Sequence, residues 1–263
     1  MCERAVAVVH HGWVSIGSDS DEVVTVWAAA LDQARPEWVR YLDSGERQRL
    51  DRFRRPADRN RFLLGSCLVR ALVAARQAVA PGRVGLDRTC PDCQEPHGKV
   101  RVVGDDLSVS VSHSGDWVLV AATVEGEVGV DVESVDPALE TGPLARLTLH
   151  PVEREALRDV DPSRRAAAFA RYWTRKEAVL KSTGDGLRSD PAQVRVSGPD
   201  EPAELIAWPA RPELVGRLWL ADLGLDEGYA ASLAFVPAPE APHGSRQPAV
   251  RVREATAMLA ALG

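Results

Sequence analysis

The chain has 263 residues, of which 45% are hydrophobic and 27% are charged, and its formal net charge is −6. This composition is typical of an ordinary globular protein and excludes a disordered chain. No apolar run approaches the roughly 18 residues that a membrane-spanning helix needs. The acidic balance argues against a general nucleic-acid binder, whose footprint is basic. Residues 1–12 lack the pattern of a signal peptide, so we expect a cytoplasmic protein that binds neither membranes nor nucleic acids.

Hydrophobic periodicity predicts elements of both kinds along the chain. The first half is predicted to contain a strand over 23–31, one or two helices over 44–79, a turn-rich loop over 87–99, and strands over 107–112 and 117–123. The second half is predicted to contain a strand over 127–133, helices over 151–160 and 163–182, short strands over 193–197, 204–208, 217–222 and 229–236, a proline-rich loop over 237–248 and a short helix over 252–262.

This order predicts an α+β (α/β) fold made of two α/β halves that meet near residue 126. The expected divisions are 1–126, 127–236, and a proline-rich tail with a short helix over 237–263. No internal sequence repeat is visible, so any similarity between the two halves would be structural only.

The cysteines do not form a disulfide framework at this chain length, which favours a reduced environment. Cys90 and Cys93, followed by His97, resemble half of a zinc site. Structural zinc needs four ligands and this cluster offers three, so a turn with two thiols is the favoured interpretation. A zinc or redox protein built on the cluster remains an alternative.

Two carboxylates lie on one face of a predicted strand. In Val128-Gly-Val-Asp-Val-Glu133 the valines alternate with Gly129, Asp131 and Glu133, and strand side chains point alternately to opposite faces. Paired carboxylates suit Mg²⁺, which takes one or two of them together with substrate phosphates and water. A solvent-exposed strand edge would give the same pattern, because surface carboxylates are common.

A third carboxylate lies on the second helix of that half. Trp173, Glu177 and Lys181 recur at a spacing of four and share one helix face, with Lys176 one step round. Glu177 is suited to metal binding, and the lysines to phosphate oxygens. A surface Glu–Lys pair is the common alternative.

Other candidate anion-binding groups lie in the first half. His113, beside Ser112, ends an alternating strand, and Lys99 follows a glycine in a turn. Seven arginines fall within residues 47–61, and among them Arg49 and Arg61 are candidates. An arginine-rich helix also suits a non-catalytic module that docks an acidic partner, which stays open as an alternative.

Taken together, three carboxylates and several cations indicate phosphoryl-type transfer on a pyrophosphate substrate. The chain has no Walker loop and no kinase glycine-rich loop, which removes two common ways to hold a nucleoside triphosphate.

The motifs themselves resemble a known family. Gly129-Val-Asp131-Val-Glu133 and, about forty residues on, Trp173-Thr-Arg-Lys-Glu177-Ala-Val-Leu-Lys181 are similar to the two signature motifs of the 4′-phosphopantetheinyl transferase superfamily. The arginine-rich helix, the Gly-Lys turn and the Ser-His strand end match the surfactin-synthetase-activating type in order. The resemblance implies a pseudo-dimeric monomer of two similar halves with the active site in the cleft between them.

The resemblance also implies a reaction and a set of roles. Coenzyme A would donate its 4′-phosphopantetheine arm to a serine of an apo acyl or peptidyl carrier protein, releasing adenosine 3′,5′-bisphosphate. Asp131, Glu133 and Glu177 would bind Mg²⁺, and Glu177 would be the base, directly or through water. Lys181 and Lys176 would also be catalytic, by stabilising charge on the phosphates and on the departing bisphosphate. Phosphate and nucleotide contacts would come from Arg49, Arg61, Lys99, Ser112, His113 and Lys181.

The chain departs from the family pattern at two positions relevant to nucleotide binding. Val100 replaces the proline that usually follows the Gly-Lys turn, and Glu46 stands where the first helix usually carries a basic residue. Glu46 therefore cannot make the adenosine-side contact that the resemblance implies for a basic residue there. Every residue assigned to metal or base is present, so we expect an active enzyme, associated with secondary-metabolite biosynthesis. The carrier, and the choice between Mg²⁺ and Mn²⁺, are not determined.

Overall fold

A computed structural model of the chain describes residues 14–15, 22–239 and 247–263. The predicted absence of a signal peptide over 1–12, Cys2, and residues 240–246 of the predicted proline-rich loop lie outside the described residues. Within the described ranges, no helix is both long and apolar enough to cross a bilayer.

The described chain contains six α-helices and twelve strands. The helices are α1 (Ser44–Arg52), α2 (Pro56–Gln77), α3 (Thr141–Thr148), α4 (Pro151–Asp159), α5 (Arg165–Thr183) and α6 (Thr256–Ala260). The strands are β1 (Val14–Ser15), β2 (Glu22–Ala30), β3 (Leu86–Asp87), β4 (Arg101–Val102), β5 (Ser108–Ser114), β6 (Trp117–Thr123), β7 (Gly126–Ser134), β8 (Arg195–Val196), β9 (Leu205–Ala207), β10 (Trp219–Asp222), β11 (Tyr229–Pro237) and β12 (Ala249–Glu254).

The mixed α+β fold predicted from the sequence is confirmed. Seven strands form one sheet in the order β1-β12-β2-β6-β5-β4-β3, and three form a second in the order β10-β11-β7. Apolar side chains of α2 pack on one face of the large sheet, and those of α5 pack on the small sheet. A third apolar cluster joins the two sheets face to face. The result is four layers, with a helix outside each sheet.

The C-terminal segment differs from its prediction. The short helix predicted over 252–262 begins only at Thr256, because residues 249–254 form β12 and pair in parallel with β2. Val250 and Val252 enter the cluster between the sheets, so burial against β2 outweighs helical propensity in this segment. The tail thus completes the sheet of the first half.

Local sequence signals account for the ends of the helices that reach the cleft. Asp43 caps α1 by accepting a hydrogen bond from the Glu46 amide at 2.8 Å, and the Glu46 side chain accepts one from the Asp43 amide at 3.1 Å. Gly184 ends α5 with a φ of +74°, the left-handed conformation that glycine adopts without strain.

Candidate active site

Strand β5 lies beside β7 and joins the two sheets through its serines. The backbone amides of Val128, Val130, Val132 and Ser134 donate to the hydroxyls of Ser108, Ser110, Ser112 and Ser114, respectively, at 3.0–3.3 Å. The polar face of the alternating strand therefore supplies acceptors for these four amides of the β7 edge, in place of a neighbouring backbone. This row of hydroxyls positions β7, and hence its carboxylates, against the first half.

Gly129 sets the distance between β7 and α5. A Cβ atom at this position would collide with the carbonyl oxygen of Ala178 and the amide nitrogen of Ser182. Only glycine allows the helix to lie this close to the strand. Asp131 and Glu133, on the same strand face, are thereby brought against the helix that carries Glu177 and Lys181.

These elements enclose a cleft of about 480 Å³, lined by residues from both halves. The lining residues are Arg49, Phe62, Gly65, Ser66, Arg88, Val111, Ser112 and His113 from the first half, and Asp131, Glu133, Trp173, Glu177 and Lys181 from the second. Seven of the residues predicted for the site line this cleft, namely Arg49, Ser112, His113, Asp131, Glu133, Glu177 and Lys181. The helix face predicted for Trp173, Glu177 and Lys181 does line the cleft.

Asp131 and Lys181 form the polar centre of the cleft. Lys181 Nζ lies 2.6 Å from Asp131 Oδ1 and donates to Ser112 Oγ at 3.0 Å, while Ser112 Oγ donates to the same carboxylate oxygen at 2.7 Å. Asp131 is 3% exposed, and its other oxygen, Oδ2, is buried without a hydrogen-bond partner. Such an unpartnered anionic oxygen is costly, and a cation would satisfy it.

Glu133 and Glu177 are the other two of the three carboxylates that line the cleft. Burial and the Asp131 charge raise the pKa of Glu133, which accepts a hydrogen bond from Ser114 Oγ at 2.9 Å. Burial raises the pKa of Glu177 against the opposing effect of Lys181, and the charges of Asp131 and Glu133 add to the rise. These raised pKa values reflect burial first and the neighbouring negative charges second, and a bound divalent cation would stabilise the ionised carboxylates.

The three carboxylates line one cleft, but their oxygen atoms are not all close enough to one another to coordinate a metal ion without some movement. In the described part of the chain, their oxygens do not form a trio with all atoms within 4.8 Å of one another. Mg²⁺ does not require all three carboxylates, since it takes one or two carboxylates and completes its shell with water and phosphate oxygens. The hard oxygen donors and the unpartnered Asp131 Oδ2 therefore fit Mg²⁺.

Cationic side chains occupy the opposite wall. Burial lowers the pKa of His113, and the nearby charges of Lys181, Arg61 and Arg49 lower it further. The Arg49 guanidinium lies 5.2 Å from the centre of the Phe62 ring, a cation–π contact that holds it at the cleft. A positive field of this kind suits an anionic substrate with several phosphates.

Lys176 is a correction to the sequence prediction. Its side chain is fully buried, and its ammonium lies 2.7 Å from Glu153 and donates to the carbonyl oxygens of Pro191 and Val194. Because α5 is packed on several sides, the position one step round from Glu177 points into the core of the second half. Lys176 therefore does not line the cleft, and its contacts are structural.

Lys99 and Arg61 also fall outside the cleft lining. The Lys99 ammonium lies 2.5 Å from Glu127 and donates to the Ser182 carbonyl oxygen at 2.7 Å, so it links the loop of the first half to β7 and α5. Arg61 donates to the Gly115 carbonyl oxygen at 2.6 Å and pairs with Asp58. The ammonium of Lys99 and the guanidinium of Arg61 are therefore both paired with groups of the protein. Arg61 also stabilises the turn that follows His113.

Arg88 is the cleft cation that sequence reasoning missed. It lines the cleft from the loop after β3, and Glu46 lies 3.6 Å from its guanidinium. Glu46 is 4% exposed and also pairs with Arg70 at 2.6 Å. The resemblance implied a basic residue at position 46, and here a buried carboxylate instead pairs with an arginine from another loop. The Asp-x-x-Glu capping pattern was the available sequence signal for Glu46.

Comparison with known proteins identifies the family. Residues 127–234 match the family described as the 4′-phosphopantetheinyl transferase superfamily, and residues 27–125 match 4′-phosphopantetheinyl transferase, N-terminal. The chain is 34% identical over 200 residues to the 4′-phosphopantetheinyl transferase HetI of Nostoc sp., which covers 73% of this chain and 81% of that protein. The chain belongs to the 4′-phosphopantetheinyl transferase superfamily.

Two further relatives agree with this assignment. A putative 4′-phosphopantetheinyl transferase of Synechocystis sp., slr0495, is 29% identical over 222 residues, which is 80% of this chain and 86% of that protein. A phosphopantetheinyl transferase of Thraustochytrium sp. is 32% identical over 184 residues, 62% of each chain. Because its relatives are named as phosphopantetheinyl transferases, this chain is a transferase. Catalysis is thus favoured over the non-catalytic docking module.

Ser112→Ala is expected to weaken both the fold and the site. The change removes the acceptor for the Val132 amide and the donor to Asp131, which together should lower the free energy of unfolding by about 1–3 kcal/mol. Ser110→Ala is the matched control, because Ser110 accepts from Val130 and faces Gly129 instead of a carboxylate. Urea unfolding should show a loss in both variants, whereas transfer assays should show a loss only in Ser112→Ala. Equal losses of transfer would contradict the role given to the Ser112–Asp131 contact.

Proposed function

We propose that this chain transfers the 4′-phosphopantetheine arm of coenzyme A to a serine of an apo acyl or peptidyl carrier protein and releases adenosine 3′,5′-bisphosphate. The observation that carries the proposal is one cleft lined both by the carboxylates Asp131, Glu133 and Glu177 and by the cations Arg49, Arg88 and Lys181. This pairing suits a substrate pyrophosphate, whose charge needs cationic partners, and an acceptor hydroxyl, which needs a base.

The proposed metal site consists of Asp131, Glu133 and Glu177. When bound there, Mg²⁺ would supply charge neutralisation for the pyrophosphate oxygens. The support for this assignment is the unpartnered Asp131 Oδ2 and the raised pKa of each of the two glutamates. Mg²⁺ is proposed over softer metals because every donor in the group is a carboxylate oxygen.

Glu177 is the proposed base. It would accept the proton of the carrier serine, directly or through one water, as the serine oxygen attacks the β-phosphorus of coenzyme A. A bond forms between the serine oxygen and that phosphorus, and the bond from the phosphorus to the bridging oxygen breaks. The bridging oxygen leaves with the adenosine bisphosphate, and Lys181 would stabilise the charge that develops on the leaving group.

The remaining phosphate contacts are proposed for the first half. Arg49, Arg88 and His113 line the cleft, and Ser112 lies beside Lys181. We retain Arg49, Ser112, His113 and Lys181 as coenzyme A contacts and add Arg88. Lys99 and Arg61 are proposed to position these elements, since neither lines the cleft and both contact protein groups instead.

Several finer assignments are proposed with this function. The surfactin-synthetase-activating type, with halves over 1–126 and 127–236, is supported by family matches that end at residue 125 and begin again at 127. A monomer follows if both walls of the cleft come from one chain, as the lining residues do. A cytoplasmic location, a role in secondary metabolism, and no binding to nucleic acids or membranes remain predictions.

The decisive experiment measures the product directly. The protein is incubated with coenzyme A, Mg²⁺ and a panel of apo peptidyl, polyketide and fatty-acid carriers, and each carrier is then weighed by mass spectrometry. We expect at least one carrier to gain the mass of one phosphopantetheine, and the same carrier with its acceptor serine changed to alanine to gain none. Failure of every carrier in the panel would overturn the proposed reaction.

Lys181→Arg is expected to lower kcat/KM for coenzyme A by about 10-fold or more although the positive charge is kept. Lys181 Nζ fits between Asp131 and Ser112 at 2.6 and 3.0 Å, and a planar guanidinium cannot replace a compact ammonium in that space. The exposed Arg164→Lys variant serves as the control for an Arg/Lys exchange. Unchanged kinetics in Lys181→Arg would show that only the charge matters.

A further inference from the structure

The loop over residues 88–98 carries a second group of possible metal ligands outside the cleft. Cys90 Sγ, Cys93 Sγ and one ring nitrogen of His97 all lie within 4.8 Å of one another. Cys93 Sγ and His97 Nε2 are 2.9 Å apart. No other group of three or more such side chains reaches this closeness in residues 14–15, 22–239 and 247–263.

The backbone of this loop makes a tight turn between Cys90 and Gln94. The Gln94 amide donates to the Cys90 carbonyl oxygen at 3.0 Å, and Gln94 has a φ of +61°, which is rare for a residue other than glycine. This turn brings the two cysteine sulfurs to one side of the loop, within 4.8 Å of each other.

The rest of the loop closes around the same point. The Cys90 amide donates to the Glu95 carbonyl oxygen at 2.9 Å, and the Gly98 amide donates to that of Arg88 at 2.7 Å. A Cβ at Gly98 would lie 2.8 Å from the Thr89 carbonyl oxygen, so the two ends of the loop touch only because residue 98 is glycine. The closure brings His97 back to the cysteines.

We propose that Cys90, Cys93 and His97 bind one zinc ion, with water as the fourth ligand. Two thiolates and an imidazole at Cys-x-x-Cys spacing are donors that zinc prefers. With bonds of about 2.3 Å to sulfur and 2.0 Å to nitrogen, tetrahedral zinc separates its ligand atoms by roughly 3.5–3.8 Å. The observed spacing therefore needs only small side-chain rotations. The exposure of Cys93 leaves room for water.

The missing fourth protein ligand is the reason the sequence alone favoured a plain turn. The structure favours a zinc site over a plain turn, because the three side chains already lie close together and the backbone is already folded around them. Zinc binding would release the thiol protons. It would also restrict the motion of the loop that begins at Arg88, a residue that lines the cleft. The ion would thus hold the loop in place without taking part in the transfer reaction.

Metal analysis of the full chain tests this inference independently of the transferase activity. The protein is purified without a histidine tag in a phosphine reductant, incubated with zinc, desalted and analysed for metal. We expect about one zinc per chain, and a loss of most of it in both Cys90→Ser and Cys93→Ser. Cobalt in place of zinc should give thiolate charge-transfer absorption that disappears in the same variants.

Cys67→Ala is the matched control for the loss of a cysteine. Cys67 is buried in α2, and burial raises the pKa of its thiol to about 12, so it cannot supply a thiolate. This variant should keep its zinc. Hydrogen exchange of the amides over 88–98 should become faster when zinc is removed from the unmodified chain. Zinc content far below one per chain, zinc retained in both serine variants, or a Cys90–Cys93 disulfide under these conditions would overturn the proposal.

Discussion

Glu177→Gln is expected to lower the rate of phosphopantetheine transfer by about 10²- to 10⁴-fold, the usual contribution of a positioned general base. The amide keeps the size of the side chain but can neither accept the serine proton nor contribute a negative charge to the metal site. Glu177 is half-buried in the cleft, close enough to Lys181 and the β7 carboxylates for their charges to shift its pKa. Single-turnover kinetics with a carrier that accepts the group measure this loss.

Glu155→Gln is the control for the loss of one helical carboxylate. Glu155 lies exposed on α4, away from the cleft, and its change should leave transfer unaltered. Urea unfolding should show that Glu177→Gln folds as stably as the unmodified chain or more so, because it removes charge from a crowded acidic site. Transfer by Glu177→Gln within threefold of the unmodified rate would exclude Glu177 as the base.

Lys176→Met is expected to lower the free energy of unfolding by about 3–5 kcal/mol, because it leaves Glu153 buried without its cation. Glu153 is 2% exposed, and besides Lys176 it accepts the amides of His150 and Val196. The lysine therefore connects α5 to the start of α4 and to β8. Urea unfolding followed by tryptophan fluorescence measures the change.

Two companion variants separate this effect from a catalytic one. Arg164→Met breaks an exposed ion pair with Asp200 and should cost at most about 1 kcal/mol. Lys176→Met combined with Glu153→Gln should recover part of the stability, because the buried negative charge is removed together with its partner. A Lys176→Met protein of normal stability that has lost transfer would restore the catalytic role first predicted for Lys176.

The three lysines of this arginine-dominated chain illustrate where sequence reasoning succeeds. All three fall in family motifs, which suggested that each lies at the phosphates. Only Lys181 lines the cleft, while Lys176 and Lys99 bind protein carboxylates and carbonyl oxygens. Position in a motif predicts that a residue is needed, but the partners of a long flexible side chain depend on elements that are distant in sequence.

The serines of β5 show the same division. Strict alternation predicts a strand with one apolar and one hydroxyl face, and the structure confirms it. A hydroxyl face is usually solvated, but here it receives the amides of β7 and orients Asp131 and Glu133. Nothing local in residues 108–114 specifies that partner.

The sequence by itself determined the mixed fold, the helical stretch over 44–79, helices α4 and α5, and the strand and helix faces that carry the carboxylates. Those features follow from periodicity, capping residues and glycine positions within a few residues of one another. Only the tertiary structure decided that β12 joins β2, that Arg88 reaches the cleft on the support of Glu46, and that Lys176 is buried. These depend on burial and pairing between segments far apart in the chain, which no local pattern records.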